Sequence, residues 1–324
     1  MPGLTPASGM SSPREEGTVV VPPHTPMQAT TVATAMTAVR RRGLLKGVLR
    51  FVVRKPLGAV GAGMVLLLAL LAYGGVLFTP YGKLEQNVSE ALQAPSLRHP
   101  MGTDQFGRDL LTRIMYASQV SLLIGFATVV VSGVIGGILG VVSGYLGGKV
   151  DLFFQRVVDV LMSFPLLILA MAIVVMLGAN TFNVVIAIAA TYAPRLARVV
   201  RSVALSVREK QYVEAARAIG CPDWRIMLYH VAPQCVAPTL VLVTAQLGGA
   251  ILVESSLSFL GMGTQEPNPS LGNMLSGAAA GYFEAAPWMA IFPGLAIALA
   301  VFGFNVFGDA LRDVLDPRLR GAGR

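Results

Sequence analysis

The sequence predicts an all-α integral membrane protein with six transmembrane helices. Three observations carry that expectation. The 324 residues are 54% hydrophobic and 13% charged, with a mean hydropathy of +0.65; soluble domains carry about 25% charge. Six apolar runs are long enough to cross about 30 Å of hydrocarbon. Lysine and arginine also alternate between faces. The N-terminal tail and first helix carry eight, the 145–156 loop two, the 195–235 loop seven and the C-terminus four, against four, zero and zero on the other face. By the positive-inside rule, both termini and the 195–235 loop lie in the cytoplasm. An odd number of spans would destroy the alternation.

The elements follow in order. Residues 1–39 are rich in Pro, Thr, Ser and Ala without apolar period, and read as a disordered cytoplasmic tail. They contain no apolar core of a signal peptide. Residues 40–56 hold Arg40, Arg41, Arg42, Lys46, Arg50, Arg54 and Lys55, a basic amphipathic segment for the inner lipid surface. Residues 57–79 are the first transmembrane helix, and 80–116 an extracytoplasmic loop. A five-helix core, 117–311, has spans near 118–144, 157–177, 182–200 with a kink at Pro194, 236–260 and 287–307. A cytoplasmic tail, 312–324, closes the chain.

Within the 118–144 span, Ser132, Gly136, Gly140 and Gly144 recur every fourth residue. They form one small-residue face that lets another helix approach closely. In the outer loop Gly102 and Gly107 supply turns, and Thr103 or Asp104 is the expected cap of the next helix.

The net charge of +8 belongs to membrane topology, because the basic residues flank apolar runs; no nucleic-acid surface is expected. Cys221 and Cys235 have neither CxxC nor zinc spacing and read as free thiols. His24, His99 and His230 make no metal-ligand set. No P-loop is present: Gly147-Gly148-Lys149-Val150 lacks the leading glycine spacing and the hydroxyl. No HExxH, GxSxG or paired-carboxylate set appears either. No catalytic residue is expected, and the chain hydrolyses nothing by itself. Glu254 lies within the fifth span, where a carboxylate normally faces protein or water. It lines a translocation path, makes a structural hydrogen bond to a neighbouring helix, or simply sits at the membrane interface. Asp159 and Asp309, near span ends, are expected to pair with Arg156 and Arg312 or with water.

The most informative stretch is polar. Residues 211–234 read QYVEAARAIGCPDWRIMLYHVAPQ. Glu214, Ala215 and Ala216 favour a helix, and Gly220 and Pro222 break it. Asp223 is the expected cap of a second short helix, which Pro233 ends. This is a helical hairpin between two spans.

Glu214-Ala215-Ala216, then three residues, Gly220, twelve residues and Pro233, resembles the EAA signature of ABC-importer permeases. Ala232 stands where that family usually has leucine. The stretches HPMGTDQFGRD, GYLGGKVDLFFQRVVDVLMSFP, ESSLSFLGMG, NPSLGNML and PWMAIFPGLAIALAVFGFNVFGDALRDVLDPRLR resemble the dipeptide/oligopeptide/nickel subfamily, in that order, from about Lys55 onward. The resemblance implies a type I ABC-importer permease fold with residues 211–234 as a cytoplasmic coupling helix. Trp224 and Tyr229 are the expected anchors. It implies a second homologous permease, two ATPase subunits that hold ATP and magnesium, an extracytoplasmic solute-binding protein, and a bacterial or archaeal cell membrane. Di- or oligopeptides are the expected cargo. The rival is a stand-alone secondary transporter or channel, which predicts an internal inverted repeat; no convincing repeat is visible.

Overall fold

The computed structural model describes residues 55–315, apart from Phe78 and Ala280. The expected tail 1–39, nearly all of the segment 40–56 and most of the tail 312–324 lie outside the described residues. Among the described residues there are ten α-helices and no strand.

Helix α1, Pro56–Ala69, opens with a proline whose missing N–H no helix start needs. It continues through a π turn, Leu70–Gly74. The carbonyl of Ala72 in that turn accepts the Gln119 side-chain amide at 2.5 Å. Helix α2, Leu110–Leu146, has 37 residues. It begins before the expected 118 because Asp109 caps it: the Asp109 carboxylate accepts from the Thr112 N–H at 2.8 Å and its hydroxyl at 2.7 Å. The expected caps are otherwise engaged. Asp104 Oδ1 accepts the Phe106 and Arg108 N–H groups, each at 2.9 Å. Thr103 Oγ1 donates to the Glu90 carbonyl at 2.5 Å.

The expected span 157–177 is broken. Helix α3, Gly148–Ser163, and helix α4, Leu166–Leu177, meet at 99°. The cause is local. Proline disfavours helical geometry in the residue before it, and Phe164, before Pro165, is extended at φ −87°, ψ 142°. The twelve residues of α4 rise only about 18 Å, short of a full crossing.

Helix α5, Thr181–Arg208, runs continuously through Pro194 and is capped by Asn180, which accepts the Asn183 N–H at 2.9 Å. After α6, Gln211–Ala218, and α7, Asp223–Ile226, helix α8 runs from Ala232 to Phe259. Helix α9, Leu271–Ala279, precedes α10, Trp288–Leu315. Five helical stretches are long and apolar enough to cross a membrane, and the bent α3–α4 pair makes a sixth if counted as one span.

Helices α2 and α5 form the centre. A Cβ added at Gly136 would stand 2.7 Å from the Ala193 carbonyl. At Gly140 it would meet Val200 Cβ at 2.6 Å, and at Gly144 Ala204 Cβ at 2.7 Å. Ser132 on the same face is buried and donates to the Val129 carbonyl. The α2–α3 turn uses Gly147 and Gly148, both at positive φ. Beyond it, Arg201 of α5 grips Asp151 of α3 through two contacts of 2.5 Å. Asp159 pairs with Arg198 at 2.6 Å, not with the expected Arg156. The reason is position: Arg198 reaches α3 from the adjacent helix. Asp309 is exposed and forms no ion pair among the described residues.

Candidate functional site

The polar segment 211–234 forms a compact knob. Val213 and Ala216 of α6, Ile226 of α7 and Val231 are buried against Tyr145, Leu196, Val200, Ala204 and Val207. That seat fixes the segment on the ends of α2 and α5. Gly220, at φ +80°, closes α6. The Cys221 N–H donates to the Ala216 carbonyl at 3.1 Å and the Gly220 N–H to that of Arg217 at 2.9 Å, the paired bonds of a Schellman turn.

Two sequence expectations are corrected here. Asp223 is the first residue of α7 and makes no side-chain cap; Pro222 holds the cap position. Its carboxylate instead accepts the Tyr145 hydroxyl at 2.6 Å. Pro233 does not end the second helix. A π turn, Met227–Val231, carries α7 into α8, where Pro233 occupies the first turn. Proline is tolerated there because it follows directly on the π turn, where the regular i→i−4 ladder is already interrupted.

The knob exposes large apolar and aromatic side chains among charged ones. Ile219 is 81% exposed, Tyr229 69% and Trp224 55%. Tyr212 and Leu228 are exposed as well. Glu214, Ala215 and Pro233 are exposed, and Ala216 faces the core. Arg225 lies over the Trp224 ring at 5.8 Å. Sequence reasoning singled out Trp224 and Tyr229 but missed Ile219 and Tyr212. The signal was available: Tyr212 and Ile219, seven residues apart, share one flank of α6, beside the inward face of Val213 and Ala216. Rigid backing under an exposed apolar patch is what a protein-docking surface needs.

Glu254 is fully buried in α8. Ser121 of α2 and Ser258 donate to its two oxygens at 2.8 Å each, and Ser255 at 3.4 Å.

At the other end of the bundle a charged cluster had read only as a capped helix start. Asp104 accepts from Arg108 at 2.5 Å, and Glu266, across the α8–α9 loop, contacts Arg108 and Arg113 at 3.3 Å each. Both arginines are buried. His99 Nδ1 lies 2.9 Å from Asp109, and Trp288 donates to the Thr103 carbonyl at 3.2 Å. The cluster ties the 80–109 loop to α2, the α8–α9 loop and α10. Sequence spacing gave no sign of Glu266, which is 158 residues from Arg108.

Residues 136–321 match the family described as binding-protein-dependent transport system inner membrane component. The chain is 41% identical, over 82% of its length and 88% of the relative's, to the dipeptide transport system permease protein DppC of Alkalihalophilus pseudofirmus. It is 37% identical to the probable D,D-dipeptide transport system permease protein DdpC of Escherichia coli K12, over 82% and 89% of the two chains. It is 40% identical to the glutathione transport system permease protein GsiD of Pectobacterium atrosepticum, over 81% and 87%. With its apolar helices, this multi-pass membrane chain belongs to the family of binding-protein-dependent transport system inner membrane components.

Proposed function

We propose that the chain is the transmembrane permease subunit of an ATP-driven importer of di- and oligopeptides. It forms half of the translocation path, beside a second homologous permease. Two separate ATPase subunits hold ATP and magnesium, and a solute-binding protein delivers cargo on the extracytoplasmic side. The family description and the peptide-transport names of the relatives support this reading.

The observation that carries it is the knob. An exposed patch of Ile219, Trp224, Leu228 and Tyr229 stands on a buried seat. A stand-alone transporter or channel gives that patch no partner. In the proposed complex it docks in a groove of the ATPase, with Glu214, Ala215, Ala216 and Gly220 shaping α6 and its turn and Pro233 setting the start of α8. ATPase closure pulls the knob, and α2 and α5, packed through Ser132, Gly136, Gly140 and Gly144, move as one body. Glu254, the sequence candidate for the path, suits a tie between α8 and α2 better, because serines occupy both of its oxygens. The charge asymmetry of the loops supports cytoplasmic termini and a cytoplasmic knob.

The test is a crosslink. An Ile219→Cys variant, paired with single cysteines on a co-expressed nucleotide-hydrolysing subunit, is expected to crosslink in intact complex. ATP-dependent peptide uptake is expected in proteoliposomes with the binding protein. Solute movement by the purified chain alone, driven by an ion gradient, would overturn the proposal.

A further inference from the structure

Helix α5 is amphipathic in an unusual sense for a membrane span. It is the least apolar of the five long spans among the described residues. In its C-terminal half Ala193, Leu196, Ala197, Val200, Ala204 and Val207 are buried. Arg195, Arg198, Ser202 and Ser206 are exposed, with Val199 the one apolar residue exposed beside them. Their spacing of three, four and four residues places them on one face. A face turned to lipid should be apolar; this one is cationic and hydroxylated.

The same face is closed higher up. Val184 and Ile188 lie under Ala170 and Val174 of α4. The cover stops where the chain bends by 99° at Phe164–Pro165. Below the bend α3 diverges and returns two carboxylates to α5: Asp151 holds Arg201 at 2.5 Å and Asp159 holds Arg198 at 2.6 Å. Arg195 has neither hydrogen bond nor ion pair among the described residues. It sits about 21 Å along the axis from Thr181 at 1.5 Å per residue, inside a hydrocarbon layer about 30 Å thick. Arg156 on α3 is exposed as well. With Asp151 and Asp159 taken by Arg201 and Arg198, Arg195 and Arg156 have no carboxylate partner among the described residues.

We infer that the face of Arg195, Arg198, Ser202 and Ser206 lines the water-filled inner half of the substrate path, and that Arg195 receives the carboxylate of a peptide on its way out. This rests on the importer reading and on the orientation proposed above. An unpaired guanidinium inside a span needs water or an anion, and guanidinium matches carboxylate in a two-point geometry. A peptide with a free C-terminus supplies that anion, and the serine hydroxyls supply exchangeable partners below it.

The experiment uses the assembled permease–ATPase complex in nanodiscs, in a Cys221→Ser, Cys235→Ala background. Single variants Arg195→Cys, Ser202→Cys and Ser206→Cys are treated with 2-sulfonatoethyl methanethiosulfonate. Leu123→Cys, on an exposed apolar site of α2, is the lipid-facing control. All three stripe positions are expected to react at least about tenfold faster than the control, because thiolate forms only where water reaches. Alanyl-alanine is expected to slow labelling of Ser202→Cys at least about threefold, its C-terminal amide not at all, since a charge-assisted hydrogen bond carries the difference. Adding Arg195→Gln should abolish that difference and Arg195→Lys should keep it. Unreactive stripe cysteines, as lipid or a second permease would leave them, overturn the aqueous face. Equal protection by acid and amide, or no effect of Arg195→Gln, overturns the carboxylate role. ATP-dependent uptake by the unsubstituted complex judges the importer reading separately, so either can fail without the other.

Discussion

The hydroxyl of Tyr145 donates to Asp223 Oδ1 at 2.6 Å, across 78 residues of sequence. It is the polar tie between the end of α2 and the knob. The Tyr145 ring is buried in the cluster that seats the knob, while Arg217 lies 5.4 Å from its centroid. Tyr145→Phe keeps the packing and removes only the tie. Asp223 is exposed and regains water, so folding stability should drop by no more than about 1 kcal/mol. The knob should loosen. Peptide-stimulated ATP hydrolysis by the assembled complex is expected to fall several-fold while insertion and yield stay unchanged. Undiminished stimulation would show that the apolar seat alone transmits the motion.

The exposed patch makes a complementary prediction. Ile219 and Trp224 are both exposed, so Ile219→Asp and Trp224→Ala should change thermal unfolding by no more than about 1 kcal/mol. Removing an interface anchor costs about 2 kcal/mol or more. Each variant should therefore lose the ATPase subunits during co-purification, tested by pull-down in detergent. Retention of both subunits by the double variant would locate the docking surface elsewhere.

What could be read from sequence divides by range. Spans were legible because twenty consecutive apolar residues need no tertiary information. The turn at Gly220 was legible because its signal is local. The break at Phe164–Pro165 was also local, but the apolar run through it read as one span. The cap of α2 was misplaced because Thr103, Asp104 and Asp109 are all good cap residues within seven positions. Distant partners chose among them: Glu90 holds Thr103, and Arg108 and Arg113 hold Asp104. The Asp223–Tyr145 tie and the Glu266 contacts lie beyond any local pattern. The site's outline was thus visible in sequence, while its seat and its apolar rim were set by helices that meet only in three dimensions.

Gly140 tests the central packing. An added Cβ there stands 2.7 Å from the Ala197 carbonyl as well as 2.6 Å from Val200 Cβ. Backbone cannot yield as a flexible side chain would. Gly140→Leu should force α2 and α5 apart, at a cost of about 1–3 kcal/mol. Gly137 is one turn face away, with nothing nearer than 4.0 Å, and Gly137→Ala should be neutral. Thermal stability of the two variants in matched detergent checks the contrast; equal melting would refute the close approach.

Asp104 is the buried counter-charge of the outer cluster. Without it, Glu266, 54% exposed and 3.3 Å from each, is the one carboxylate left to Arg108 and Arg113 among the described residues. Breaking a buried pair by removing one partner costs about 3–5 kcal/mol. Asp104→Asn should reduce the folded yield sharply. Glu266→Gln, on the exposed side, should cost under about 1 kcal/mol. Proteolysis of the 80–109 loop offers a direct measure, with rapid cleavage expected in Asp104→Asn alone.

Glu254 carries the last prediction. Its carboxylate satisfies Ser121 and Ser258 at 2.8 Å each, and Thr264 N–H reaches Ser258 Oγ at 3.3 Å. The tie thus runs from α2 through α8 to the loop that follows. Glu254→Gln keeps the size and one acceptor oxygen and can still bond one serine. Glu254→Ala leaves the serine hydroxyls facing a cavity, a loss of about 2–4 kcal/mol from unmet hydrogen bonds and lost volume together. The ordering wild type, Glu254→Gln, Glu254→Ala in thermal stability is therefore expected. A double-mutant cycle of Glu254→Gln with Ser121→Ala should show coupling of about 1 kcal/mol. Additive effects would mean that the carboxylate acts on something other than α2, and would return it to the list of residues facing the path.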